Sequence, residues 1–298
     1  MKILVTGATG LIGSSLVPEL EANGHEVYRV SRSSPESPND VQWDPYDGFS
    51  DEEASKLEGT DAVVHLAGES IAEYWTDEKK ESLRKSRVEG TRTLVSALAE
   101  RERPPRIFVS ASAVGYYGSR GDEELTEDSE PGNGFLPEIC IEWEAEAKKA
   151  EDFGARVVNP RIGVVLAKDG GALAKMLTPF SFGLGGTVGP GDQWMSWIAL
   201  PDLVRLIQFL INNNRVTGPV NATAPNPVTN EEFTDTLGTV LNRPTIIPVP
   251  GFGVKLLFGE MGERLLLEGA KVLPARLSEA GFKFDFAELE GALRKVLK

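Results

Sequence analysis

The sequence predicts an α/β fold, a doubly wound and mostly parallel sheet with a smaller C-terminal lobe. Three observations carry this. Short β-branched runs alternate with longer helical patterns through the first 165 or so residues. A glycine-spaced turn joins the first strand to the first helix. After about Leu166 the texture changes to glycine-rich loops and short segments broken by proline. Strand–helix alternation builds βαβ units. Right-handed crossovers wind them into one sheet with its ligand crevice at the C-terminal strand ends.

Lys2 to Thr6 reads as a buried strand, and Leu11 to Asn23 as a helix closed by Gly24. Pro18 lies inside that helix and costs it a hydrogen bond. Glu26 to Ser31 is a second strand, and Ala62 to Leu66 another, led by Asp61. A long helix runs from Asp77 to Glu100. A strand from Ile107 to Ser110 follows Pro104-Pro105. Leu136 to Asp152 is helical, and Ala155 to Asn159 is a strand. The acidic run from Asp122 to Glu130 reads as a solvated loop. Gly183 to Gly186 and Gly189-Pro190-Gly191 mark loops. Pro201 to Asn212 returns to an amphipathic helix and Val220 to Ala222 to a strand. The expected division is a nucleotide-binding domain over 1–165, completed by about 195–224. A smaller substrate lobe takes 166–194 and 225–298.

Composition bounds the function. The chain has 298 residues, 41% hydrophobic and 26% charged, enough to bury a core without staples. Its 31 basic and 45 acidic side chains leave a net charge of −14. That charge repels phosphate backbones and anionic membranes, so neither nucleic acid nor membrane is an expected partner. A lone cysteine, Cys140, excludes an internal disulfide and a Cys-rich zinc site. No apolar run approaches the ~18 residues of a membrane span. Met1 to Val5 could pass for the start of a signal peptide, but cleavage would destroy the turn that follows. A cytoplasmic location is expected.

That turn is Thr6-Gly7-Ala8-Thr9-Gly10-Leu11-Ile12-Gly13. In strand–turn–helix context it is a dinucleotide signature. Gly7 permits the tight bend, Gly10 lets backbone approach a pyrophosphate, and Gly13 lets helix and strand pack closely. The helix N-terminus offers free N–H groups and partial positive charge. NAD sites place a carboxylate at the end of the second strand to hold the ribose 2′-hydroxyl. Here that position reads Ser31-Arg32-Ser33-Ser34. A guanidinium flanked by hydroxyls suits a 2′-phosphate. NADP(H) is therefore expected rather than NAD.

Four stretches then carry a family resemblance: Thr6 to Gly13, Val64 to Gly68, Val88-Glu89-Gly90-Thr91, and Ser110 to Gly118. They resemble the extended short-chain dehydrogenase/reductases. Trp43-Asp44-Pro45, Ser86 to Thr91, Trp143-Glu144 and the tail Pro274 to Phe284 resemble the atypical "epimerase family" subgroup, near the nucleotide-sugar epimerases and dehydratases. The resemblance runs the length of the chain. It implies a Rossmann sheet and further cofactor positions. Leu66, Ala67 and Gly68, with Glu69 next to them, face the adenine ribose and pyrophosphate. Asp44 lies near the adenine, Ser110 and Ser112 beside the nicotinamide, and Pro160 and Ile162 near the carboxamide. His65 reads as a packed strand residue.

Short-chain dehydrogenases use Tyr-x-x-x-Lys on one helix face, where the ammonium lowers the tyrosine pKa. None of the five tyrosines here has lysine four residues on. Cys140 stands at the tyrosine position, Glu144 at the lysine position, and Arg87 replaces the family's asparagine. Replacement candidates are Ser112, Tyr116 and Tyr117 beside the nicotinamide, Arg87 as a carbonyl-polarising and cofactor-binding cation, and Glu69 as a base. No Gly-x-Ser-x-Gly elbow or P-loop occurs. The expected function is NADP(H)-dependent hydride transfer on a small polar or sugar-like molecule. The alternatives are a catalytically weak NADP(H)-binding regulatory or scaffold protein and an epimerase that recycles a bound nucleotide. The family also makes a homodimer a possible assembly.

Overall fold

The computed structural model describes all residues, 1–298. Its centre is an eight-stranded sheet: β1 (Lys2–Thr6), β2 (Glu26–Ser31), β3 (Asp40–Gln42), β4 (Ala62–His65), β5 (Ile107–Ser110), β6 (Ser112–Ala113), β7 (Arg156–Ile162) and β8 (Gly218–Ala222). The spatial order is β8-β7-β5-β4-β1-β2-β3, with β6 also beside β7. Every pairing is parallel. The order reverses direction between β1 and β4, which makes the crevice above those two strand ends the topological switch point.

Both faces are covered, which is why the strands read as continuous apolar runs. One face packs α1 (Gly13–Ala22), through Leu16, Val17 and Leu20, and a later helix at Leu200–Asn212, through Leu203, Leu206, Ile207 and Leu210. The other face packs α2 (Asp77–Ala99) and α3 (Phe135–Lys148), with Leu94, Val95, Leu98 and Ala147 in the core. Thr76 caps α2 by accepting the Lys79 N–H at 3.1 Å. A third core gathers Leu166, Leu173, Trp197, Phe233, Leu289 and Leu293 from the later chain. No helix is long and apolar enough to cross a membrane.

Three differences from the sequence reading have physical causes, while Pro18 costs its helix a hydrogen bond as expected. The first helix begins at Gly13, because the residues from Gly7 to Ile12 form successive turns. Pro18 is tolerated within it on the exposed face, where the unpaired Ser14 carbonyl meets water. Strand β7 continues through Pro160 to Ile162. The register places Pro160 opposite Ala111, in the gap between β5 and β6, where Ala111 gives its N–H to the His65 oxygen instead. A proline there removes no ladder bond. The acidic run is largely solvated, as expected, but part of it also forms a clasp. Glu124 and Leu125 pair with Lys271 and Val272. Glu127 is buried and accepts the Asn221 N–H at 2.8 Å and the Arg276 N–H at 3.3 Å.

Candidate cofactor and substrate site

The glycine turn lies at the switch point. Gly7 has φ +67°, and a methyl there would stand 2.9 Å from the Leu66 carbonyl carbon. A methyl on Gly13 would strike the Gly7 carbonyl oxygen and the Ala8 backbone. Gly10 differs, since its Cβ direction meets only the Gly7 oxygen, at 3.3 Å, and otherwise opens outward. The N–H groups of Leu11, Ile12 and Gly13 have no acceptor within the chain, and Thr9 is exposed beside them. This is an anion cradle at a helix N-terminus. The Leu11 side chain packs against Gly170, tying the turn to the later chain.

Thr6 holds the two strand ends together. Its hydroxyl oxygen accepts the N–H groups of Leu66 (3.1 Å) and Ala67 (3.2 Å) and lies 2.7 Å from His65 Nδ1. With both lone pairs engaged, the Thr6 proton must go to Nδ1. His65 is therefore the neutral Nε2–H tautomer, donating to Thr91 Oγ1 at 3.0 Å. Burial drives its pKa down to about 3. It is a packed strand residue that fixes the Leu66-Ala67 turn.

The remaining cofactor positions surround this turn. Arg32 is exposed past the end of β2, and its guanidinium has no partner, with Ser31 half-buried and Ser33 exposed on either side. Asp44 is spent on its own turn, accepting from the N–H groups of Tyr46 and Asp47 (2.8 and 3.1 Å), which hold its carboxyl below the usual range. Arg87 buttresses the β4 turn from below. Its guanidinium donates to the Glu69 carbonyl at 3.0 Å and the Leu83 carbonyl at 3.1 Å, touches Gly68 and stacks on Trp143. Glu69 is ion-paired to Lys79 at 3.0 Å, so its carboxylate is not a free base. Ser110 is buried with an unpartnered hydroxyl. Pro160 is buried and Ile162 half-buried along β7.

At the ends of β6 and β7 the sequence expectation needs correction. Ser112 Oγ donates to Glu144 at 2.6 Å. The same carboxylate takes Arg161 bidentately, through Nε and Nη2, at 2.8 Å each. Arg161 Nη1 donates to the Tyr117 oxygen at 2.9 Å, and Tyr117 donates to Asn221 at 2.7 Å. Burial pulls the Arg161 pKa down, but Glu144 and Tyr117 more than reverse it. Tyr117 is fully buried, and burial pushes its phenol up to about 12. It is a structural link and not an acid facing a substrate. Cys140 is buried 3.8 Å from the Ala113 carbonyl, with its thiol pushed up to about 12 by burial and by Glu144. It is no nucleophile. Tyr116 is half-buried, its hydroxyl unpartnered and its ring face 3.3 Å from the Arg161 guanidinium. Sequence reasoning set Arg161 only in the stretch Asn159 to Ile162 near the carboxamide and missed its pairing, because nothing local shows that a β7 arginine meets an α3 glutamate.

A cavity of about 550 Å³ opens beside these strand ends. Val114 and Gly115 after β6, Leu136 at the start of α3 and Met195 lie in its wall. Ser112, Tyr116, Tyr117 and Arg87 do not.

A doubly wound sheet, a glycine turn with free amides at its switch point and a cavity beside the neighbouring strand ends define a Rossmann-type protein of the extended short-chain class. Comparison with known proteins gives the family. Residues 3–222 match the model of the NAD dependent epimerase/dehydratase family, and residues 249–296 match a domain of unknown function, DUF1731. The chain belongs to the NAD dependent epimerase/dehydratase family. It is 42% identical over 292 residues to an epimerase family protein of Mycobacterium bovis, covering 98% of this chain and 96% of that one. It is 42% identical over 304 residues to the chloroplastic SDR39U1 homologue of Arabidopsis thaliana, covering 100% of this chain and 87% of that one. The crystal structure of human epimerase family protein SDR39U1 with NADPH superposes with a TM-score of 0.92 at 38% identity, covering 100% of this chain and 99% of that one.

Proposed function

We propose that this protein binds NADP(H) and acts as an oxidoreductase on a small carbonyl substrate. The free amides of Leu11, Ile12 and Gly13, opening past Gly10, together with the unpaired Arg32 just past the end of β2, carry this reading. The human relative crystallised with NADPH supports it. The turn amides would hold the pyrophosphate, and Arg32 with Ser31 and Ser33 the 2′-phosphate. Asp44, Leu66, Ala67 and Gly68 would line the adenosine, with Arg87 and Glu69 stiffening that turn. Ser110, Pro160 and Ile162 would flank the nicotinamide. When bound, NADPH supplies a hydride to a carbonyl carbon, and one proton completes the alcohol. Tyr116 would supply the proton, as the one candidate with an unspent hydroxyl.

Residues 1–165 with 195–224 form the cofactor lobe in this reading, and 166–194 with 225–298 the substrate lobe. The single thiol, buried and unreactive, suits a reducing compartment, which we take as the cytoplasm. A homodimer is part of the reading too. The exposed Phe252, Leu256 and Leu257 along one helix support it.

One observation favours a second reading, a nucleotide-binding regulatory protein with little turnover. The positions of the usual tyrosine and lysine hold Cys140 and Glu144, both bound into the fold.

The decisive experiment titrates the protein with NADPH and NADH by tryptophan quenching, with Arg32→Ala alongside. NADPH is expected to bind at least ten-fold tighter, about 1.4 kcal/mol, and the substitution to erase the difference. Absence of binding to folded, nucleotide-free protein overturns the reading. Bound NADPH that no carbonyl compound oxidises, with Tyr116→Phe and wild type indistinguishable, selects the regulatory reading.

A further inference from the structure

Polar side chains in the cavity wall are largely committed to the protein itself. Arg120 gives Nε and Nη2 to the Glu123 carboxylate at 2.8 and 2.7 Å and Nη1 to the Glu130 carbonyl at 3.2 Å. Arg264 is paired with Glu268 at 2.6 Å. Gln193 spends its amide N–H groups on the carbonyls of Val188 and Leu266, at 2.9 and 2.8 Å, while its buried Oε1 has no partner. Ser196 donates to the Ala270 carbonyl at 2.7 Å and accepts the Val272 N–H. Trp194 donates its indole N–H to Asp122 at 2.8 Å. Two neutral side chains of the wall make no hydrogen bond within the protein, Ser119 and Asn133. Beside them the first turn of α3 offers the N–H groups of Phe135 and Leu136, which also lack an acceptor, while Glu138 in the same turn offsets its positive end. The rest of the surface is built from side chains such as Leu136, Met176, Met195, Leu265 and Leu266.

A diphosphate carries two negative charges and needs charge-assisted donors to leave water. Here each wall arginine already has its carboxylate, so seating a diphosphate means breaking an ion pair or leaving an anion opposite Glu123 or Glu268. A neutral carbonyl asks for much less. One or two neutral donors satisfy its oxygen, and an apolar body gains about 25 cal/mol per Å² against the Leu and Met side chains.

We propose that this cavity takes an uncharged carbonyl compound with an apolar body, and not a nucleoside-diphosphate sugar. The inference rests on the NADP(H) reading above and replaces the expected polar or sugar-like substrate with a neutral, mainly apolar one.

The test uses the full-length protein saturated with NADPH, saturation being verified first by cofactor fluorescence. Failure at that stage strikes the cofactor reading alone. 2-Nonanone, acetophenone and UDP-glucose are then titrated by calorimetry and thermal shift. The ketones are expected to bind saturably, with UDP-glucose at least ten-fold weaker. Met195→Asp and, as a milder change, Leu136→Asn are expected to weaken the ketones at least ten-fold while NADPH affinity stays within two-fold. Saturable UDP-glucose binding that is tighter than ketone binding and lost in Arg264→Ala overturns the proposal. So does a cavity that binds neither class of ligand.

Discussion

Gly10 and Gly13 occupy the same turn but do different work, and a methyl separates them. On Gly13 it collides with the Gly7 oxygen and Ala8 backbone, which are fixed by β1 and α1. Gly13→Ala is expected to lower stability by about 2 kcal/mol or more, within the range of overpacking costs, with a fall in urea midpoint. On Gly10 the methyl meets one oxygen at 3.3 Å and otherwise points outward. Gly10→Ala should leave the urea midpoint nearly unchanged and weaken NADPH at least ten-fold by equilibrium titration. A folded Gly10→Ala protein with full affinity would move the pyrophosphate away from this turn. These residues were legible because their roles are local. A turn needs its glycines in one seven-residue stretch, and Arg32 follows at the end of the next strand. The absence of Tyr-x-x-x-Lys was legible for the same reason. The pairing of Arg161 was not, since its partners come from α3 and from the segment after β6.

Helix α3 and strand β7 meet through one bidentate ion pair, and its burial sets the cost of breaking it. The Arg161 side chain is 3% exposed and that of Glu144 14%. Removing one partner strands the other charge, at about 3–5 kcal/mol. Glu144→Ala is expected to lose that much in chemical denaturation, with Ser112 also losing its acceptor. The double substitution Cys140→Tyr and Glu144→Lys writes the family's usual pair back into the helix. It is expected to destabilise the protein more than Glu144→Ala does, because the introduced ammonium would face the Arg161 guanidinium. No dehydrogenase activity should appear. A stable double variant would show that Arg161 has another place to go. The surrounding elements explain what pattern reading misjudged. Pro160 marked a strand end by its chemistry, yet the β5–β6 gap removed the need for its N–H. The clasp within the acidic run went unseen because its acceptors serve N–H and cationic groups almost 150 residues later.

For the molecule as a whole, buried His65 links stability to pH. Its folded pKa of about 3 lies below the ordinary value of 6.5. The unfolded chain therefore binds the proton first as pH falls. The stabilisation is complete above about pH 6.5 and drains away toward pH 3, at up to about 1.4 kcal/mol per pH unit. Between pH 6.5 and 5 most carboxylates are still ionised, so this loss should dominate urea unfolding. His65→Gln is expected to be less stable at pH 7 but to lose much less across that interval, the remainder coming from His25, whose pKa burial and the N-terminal charge also lower. A slope equal to that of the wild type would assign the acid sensitivity elsewhere. The mostly parallel, doubly wound sheet followed from strand–helix alternation, and the cavity did not, because its wall draws on segments from Val114 to Ala270.

The clasp between the acidic run and the tail has a consequence for synthesis. Asn221 at the sheet edge gives its amide to the Leu273 carbonyl, and Glu127 reaches Arg276. A chain still leaving the ribosome can complete β1, the glycine turn and β4 early, since domains fold from the N-terminus. The cavity wall must wait for residues 264–270, and the β8 edge for 271–277. The nascent protein would acquire its nucleotide cradle long before it has anywhere to put a substrate.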